Sequence, residues 1–255
     1  MLDAPETHRL ATLILIALAL LTFAAVSFVT APYGRHQGKE RGWGPTMPAR
    51  LGWIIMETPA VFAFLAIYMQ GQHRFETVPL VLLGLWQFHY VRRTYVFPFR
   101  MRAEGKRMPV LVCVSAVAFN LLNAYVNARW ISHYAGYESA WFADPRLWIG
   151  VGLFVLGWAI NVKADAMLIA LRKPGEQGYS IPRGWLYEYI SCPNYFGEIL
   201  EWFGWAIATW SLSGLAFALY TTSNIGPRAL SNHRWYRDRF ADYPAERKAL
   251  IPFVL

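Results

Sequence analysis

The sequence is poor in charge and nearly devoid of cysteine. Asp, Glu, Lys and Arg make up only 16% of its 255 residues, where a soluble domain carries about a quarter. Its two cysteines, Cys113 and Cys192, lie far apart, which excludes a disulfide framework and a cysteine zinc site. There is no metal-ligand spacing, no nucleophile elbow and no phosphate-binding glycine loop. Gly150-Val-Gly152 with Gly157 looks faintly like such a loop. It lies inside an apolar run with no strand before it, and so reads as close helix packing. Repeats and low-complexity segments are also missing. Apolar runs take more than half of the chain. That leaves no room for a soluble dinucleotide-binding domain of ~150 residues, a protease domain or a kinase lobe.

What is present is hydrophobic. Apolar residues make up 56% of the chain, aromatics 16%, and there are 12 tryptophans. A bilayer-spanning helix needs roughly 20 mostly apolar residues. Seven runs qualify as candidates, at about 10–28, 51–70, 78–98, 109–128, 147–171, 195–210 and 212–227, the last two being short. The first has no clear small-residue cleavage site and six more follow it, so it reads as a span and not a signal peptide. Most of the tryptophans suit interfacial belts. Trp53 and Trp202 differ, because each stands near a carboxylate within a span.

The net charge is +8. Nucleic acid is one reading of a basic chain, but here the cations sit in loops between spans. The loops after spans one, three and five, together with the C-terminal tail, hold 17 of the 24 Lys and Arg residues, and the opposite loops hold 4. The positive-inside rule then puts the C-terminus in the cytosol and the N-terminus outside. The cytosolic face would attract an anionic, phosphate-bearing ligand.

Several charges lie within the spans: Glu57, Arg92, Arg93, Lys163, Asp165, Glu198 and Glu201. A mid-bilayer charge costs about 2.5–3.5 kcal/mol, so seven facing lipid would cost on the order of 20 kcal/mol. They must face one another, a cavity or a ligand. Their spacing supports a shared cavity. Tyr90 and Arg93 are i, i+3; Asn161 and Asp165 are i, i+4; Asn194, Glu198 and Glu201 are i, i+4, i+7. Such neighbours form one stripe of a helix. The plainer reading is interhelical pairing, such as Glu57 with Arg93, that fixes packing. The Asn120, Asn123, Asn127 stripe reads as interhelical hydrogen bonding. The expected fold is therefore an all-α integral membrane protein. Residues 1–255 form one domain, with seven transmembrane helices enclosing a cavity and no metal.

Nearly end to end, the sequence resembles the steroid 5-alpha-reductases. The resemblance is carried by Pro32-Tyr-Gly-Arg-His36, by Pro48-Ala-Arg50 through Trp53 to Glu57, and by His89-Tyr-Val-Arg-Arg-Thr94. It continues with Gly157-Trp-Ala-Ile-Asn161 to Asp165 and with Leu171-Arg-Lys-Pro-Gly-Glu176. Its strongest parts are Asn194-Tyr-Phe-Gly-Glu198 with Glu201-Trp202, Ala208-Thr-Trp-Ser211, and Asp242-Tyr-Pro through Ile251-Pro252. An Asn-Tyr-x-Gly-Glu-like element also occurs in related sterol, polyprenol and enoyl-CoA reductases and, more loosely, in membrane methyltransferases.

The resemblance implies a seven-span enzyme that takes NADPH from the cytosol and reduces the C4–C5 double bond of 3-oxo-4-ene steroids. Glu57 and Tyr90 match the catalytic pair. Asn161, Asp165, Arg172, Asn194, Glu198, Arg228 and Tyr236 match cofactor contacts, joined by Arg35 and Asn232. Trp53 and Trp202, with Glu57 and Tyr90, match residues near the steroid. Tyr90 is suited to donate toward the 3-oxo group as charge develops there. Whether Tyr90 or Glu57 carries the proton is left open. Two departures stand out: Met56 replaces the usual Gln beside Glu57, and the tail reads Ser231-Asn232-His233-Arg234 instead of His-His-His-Arg. The expected partners are a steroid or related lipid enone and the membrane. The expected state is a monomer in the endoplasmic reticulum or a bacterial inner membrane. An ene-reductase of the same fold acting on a polyprenol or enoyl-CoA, a methyltransferase using S-adenosylmethionine, and a non-enzymatic sterol-binding protein stay open as alternatives.

Overall fold

The computed structural model describes residues 4–29, 43–171 and 178–255. Arg35 and Arg172, two of the expected cofactor contacts, lie outside the described residues. The described chain is helical: α1 (Pro5–Phe28), α2 (Ala49–Tyr68), α3 (Thr77–Val91), α4 (Phe97–Arg100), α5 (Val110–Arg129), α6 (Pro145–Ala170), α7 (Pro193–Thr209) and α8 (Leu212–Arg239). Two three-residue strands, β1 (Thr46–Pro48) and β2 (Arg107–Pro109), pair antiparallel with Met47 opposite Met108.

Among the described residues, four helical stretches are long and apolar enough to cross a membrane: Pro5–Phe28, Ala49–Tyr68, Val110–Tyr134 and Pro145–Ala170. They correspond to the expected spans at 10–28, 51–70, 109–128 and 147–171. The other three expected spans are also helical but fall short of that standard. The run at 78–98 becomes α3, a π-helical turn over Arg92–Val96 and then α4. The run at 195–210 becomes α7, of 17 residues. The run expected to end at 227 continues to Arg239, passing through Pro227 within α8. Arg228, Asn232 and Tyr236, read as tail residues, are thus consecutive turns of that helix.

The chain divides into two compact units. One comprises Met1–Leu15, Ala31–Trp148 and Thr209–Ser213. In it α2 lies along α5. Gly52 leaves space for the Met108 thioether, and the Cys113 thiol reaches the Gly52 carbonyl at 3.5 Å. Met56, Met108 and Cys113 form a buried cluster, with Trp53 and Val117 packed against it. Trp86 ties α3 to α2, stacking on Phe64 at 4.2 Å and donating its indole N–H to the Ala60 carbonyl at 2.8 Å.

The other unit comprises Ile16–Thr30, Ile149–Ala208 and Gly214–Leu255. Here α6 and α7 meet backbone to backbone. Gly150 and Gly157 on α6 face Gly204 and Gly197 on α7, and a Cβ at any of the four would collide with the opposite main chain. Without a hydrophobic driving force between helices in lipid, such small-residue contacts supply the packing. The expectation of close packing for Gly150 and Gly157 is met, whereas Gly152 faces open space.

Candidate functional site

Chemistry-bearing side chains gather in two constellations, one in each unit. The first centres on Glu57, whose side chain is 13% exposed. Arg93 Nε lies 4.0 Å from Glu57 Oε1. Asn120 Nδ2 lies 3.5 Å from Glu57 Oε2 and donates to the Met56 carbonyl at 2.7 Å. One residue past Glu57, the Thr58 hydroxyl donates to the Ile54 carbonyl at 2.6 Å and lies 3.2 Å from the Tyr95 hydroxyl. Pro59 follows inside the helix and removes one backbone donor from the ladder there.

Arg93 stands on the π turn over Arg92–Val96. Such π segments recur at functional sites. Trp53 Nε1 donates to the Arg93 carbonyl at 3.1 Å. The Arg93 guanidinium lies 4.9 Å from the Trp53 ring centroid and 5.6 Å from that of Phe97. Trp53 thus engages both the backbone and the side chain of Arg93. Tyr90, 4% exposed, is set by its ring neighbours: Trp86 at 4.9 Å and, edge-on, His89 at 4.9 Å. On α2 the stripe through Glu57 runs back to Ile54 and Arg50, which line a cavity of about 380 Å³ with Leu51 and Phe99.

The second constellation lies next to the glycine contact. Asn161 and Asp165, both buried, stand on α6, and Asn194 and Glu198 stand on the first turns of α7. Asn161 Nδ2 donates to the Asn194 carbonyl at 3.0 Å and reaches Glu198 Oε2 at 3.3 Å. Asn194 Nδ2 donates to Asp165 Oδ1 at 3.0 Å. The close approach of Gly157 and Gly197 lets these short side chains span the two helices.

The start of α7 is fixed from the C-terminal tail. Ser191 N–H donates to the Lys248 carbonyl at 2.8 Å, and Cys192 N–H to that of Ala249 at 3.2 Å. Ser191 Oγ lies 2.6 Å from both His233 Nδ1 and the Tyr243 hydroxyl. Burial holds the His233 imidazole below its ordinary value, and the nearby Arg237, Arg247 and Lys248 cations push the same way. On α8, Asn232 Nδ2 approaches Cys192 Sγ at 3.8 Å, and buried Tyr236 stacks on Tyr243 at 5.3 Å. Arg228 is partly buried on the same helix. Trp202, 1% exposed, packs between Phe154 at 5.8 Å and Phe217 at 4.2 Å.

Of the expected site residues, the structure joins Asn161, Asp165, Asn194 and Glu198 into one network. It brings Asn232 and Tyr236 to the segment that fixes α7, and it packs Trp53 beside the Glu57 constellation. The residues that sequence reading did not count as site residues are Arg93 and Asn120. Arg93 was visible as a possible partner of Glu57. Asn120 was visible only as part of an asparagine stripe.

Residues 106–255 match the family model described as 3-oxo-5-alpha-steroid 4-dehydrogenase. The chain is 44% identical to the steroid 5-alpha-reductase of Gossypium hirsutum over 95% of both chains. It is 42% identical to that of Arabidopsis thaliana over 91% of both. It is 41% identical to 3-oxo-5-alpha-steroid 4-dehydrogenase 1 of Homo sapiens over 93% of this chain and 92% of the human one.

Proposed function

The chain belongs to the 3-oxo-5-alpha-steroid 4-dehydrogenase family, and we propose from that membership that it is an NADPH-dependent reductase of the C4–C5 double bond of 3-oxo-4-ene steroids. The observation that carries the reading is the identity with plant and mammalian steroid 5-alpha-reductases along more than nine-tenths of the chain. We read it as a seven-span monomer with a cytosolic C-terminus, in which α3–α4, α7 and the part of α8 up to about residue 227 complete the set begun by the four apolar helices.

The donor chemistry of the second constellation fits a nicotinamide dinucleotide. Asn161 and Asn194 offer amide groups, and Asp165 and Glu198 offer carboxylates, for the carboxamide and the ribose hydroxyls. Arg228, with Arg35 and Arg172, supplies guanidinium groups for the phosphates, and Asn232 and Tyr236 complete this side. A 2′-phosphate adds negative charge, so a basic face favours NADPH over NADH. When bound, NADPH supplies the hydride for C5.

The chain's own residues do the rest. Tyr90 donates a hydrogen bond to the 3-oxo oxygen, where negative charge develops, and a dry site strengthens that interaction. Glu57 orients the phenol. Trp53 and Trp202 border the steroid, which reaches the site from the bilayer. Water provides the proton for C4.

The test is turnover. Membranes containing the protein, supplied with NADPH and testosterone or progesterone, are expected to yield the 5-alpha-dihydro product by mass spectrometry, and Glu57→Gln membranes none. No product from wild type, with NADPH still bound, would transfer the reading to another lipid enone. Absence of NADPH binding would end it.

A further inference from the structure

Asn120 lies on α5, one helix away from Glu57, and its amide makes two contacts with α2. Nδ2 donates to the Met56 carbonyl at 2.7 Å and lies 3.5 Å from Glu57 Oε2. The first contact fixes the amide's orientation. Only an N–H can bond a carbonyl oxygen, so Nδ2, not Oδ1, must face Met56. The second hydrogen of the same nitrogen is then the one presented to Glu57. Arg93 Nε stands 4.0 Å from the other carboxylate oxygen, so donors flank both oxygens. A hydrogen bond donated to a carboxylate oxygen favours its ionised form. Asn120 itself is 5% exposed. Position 56 holds a methionine, so the amide beside the carboxylate comes from α5 and not from the preceding residue.

We propose that Asn120 is a positioning residue for Glu57: anchored on the Met56 carbonyl, it keeps the carboxylate an acceptor and leaves Tyr90 as the group that donates to the substrate oxygen. This rests on the proposed steroid reduction and deepens it. Asn120 acts by holding one oxygen of Glu57.

The experiment uses the full chain in detergent, with steroid turnover, NADPH affinity and pH–rate profiles measured for three variants. Asn120→Leu removes the donor. Its kcat is expected to fall by roughly tenfold to a hundredfold, the scale of a misplaced catalytic group, while the steroid KM and the NADPH Kd stay near wild type. Asn120→Asp has almost the same shape but puts a second carboxyl beside Glu57. Its pH–rate profile is expected to be displaced by roughly one unit, because two carboxyls then share a site. Asn120→Gln restores an amide and is expected to recover part of kcat. Should Asn120→Leu fail to fold, the Asn120→Asp profile decides the matter alone. Wild-type kcat in Asn120→Leu, or a superimposable profile in Asn120→Asp, would overturn the proposal. These outcomes are separable from failure of the functional reading. In that case wild type itself makes no 5-alpha product, whereas here wild type is active, Glu57→Gln is not, and only the Asn120 variants are indifferent.

Discussion

Gly157 and Gly197 face each other across α6 and α7 with no room for a methyl group on either. A Cβ on Gly197 would lie 2.6 Å from the Gly157 carbonyl oxygen and 2.6 Å from the Asn161 nitrogen. A Cβ on Gly157 would run into the backbone of Glu201. The contact is repeated seven residues along each helix by Gly150 and Gly204. It also sets the distance over which Asn161 meets Asn194, at 3.0 Å. Packing and the proposed cofactor network therefore depend on the same backbone approach.

Gly157→Ala is expected to destabilise the protein by about 1–3 kcal/mol, the usual cost of overpacking, and to weaken NADPH binding by pushing Asn161 away from α7. Gly152→Ala, five residues earlier on the same helix, meets open space and is expected to be neutral or to gain up to ~1 kcal/mol from reduced chain entropy. Thermal unfolding in detergent, with and without NADPH, compares them. Equal melting temperatures for the two variants would mean that the helices are not held at this seam.

Arg228→Ala is expected to raise the NADPH Kd by roughly tenfold to a hundredfold, the scale of a lost charge-assisted hydrogen bond. The steroid KM should change little. Tryptophan fluorescence on NADPH titration gives the first number and steady-state kinetics the second. Parallel loss of both would assign Arg228 to the fold.

Tyr90→Phe removes one hydroxyl and leaves the ring that packs on Trp86 and His89. Turnover is expected to fall by about 10²–10⁴, the range for a general acid, with melting temperature and NADPH affinity unchanged. A variant that keeps its turnover would take Tyr90 out of the mechanism.

Much of this was legible in the sequence because membrane energetics leave few choices. A charge in an apolar run must face a partner, and that rule alone singled out Glu57, Asp165 and Glu198 and offered Arg93 as the mate of Glu57. Helical spacing grouped Asn161 with Asp165 and Asn194 with Glu198, which the structure joins through hydrogen bonds. Spacing could not tell which helix a stripe would meet. Asn120 therefore read as generic glue, although it reaches Glu57. The π turn after Val91 was also hidden. Whether a helix widens by one residue depends on tertiary contacts, here the Trp53 indole on the Arg93 carbonyl, and not on local composition. Likewise the last apolar run ends at about 227, yet the helix α8 continues past it, through Pro227, to Arg239. Neighbouring groups can stabilise a helix through an internal proline.

The pH dependence of stability should pass through His233. Its imidazole, within 2.6 Å of Ser191 Oγ, is held below the ordinary value of 6.5 by burial and by Arg237, Arg247 and Lys248. The unfolded chain therefore takes up a proton on this ring at higher pH than the folded protein does. Stability from this group is full above about 6.5 and is lost as pH falls from there through the lower folded value. Protonation would also add a fourth cation to the Arg237, Arg247 and Lys248 charges that act on the ring. The Ser191–Lys248 backbone pairing and the start of α7 would then loosen, so the loss should appear in NADPH affinity as well as in melting temperature. His233→Gln keeps a polar side chain without the titration. Its melting temperature is expected to fall less than that of wild type between pH 7 and pH 5, with the two curves converging at high pH. Parallel curves over that interval would show that His233 does not couple protonation to folding.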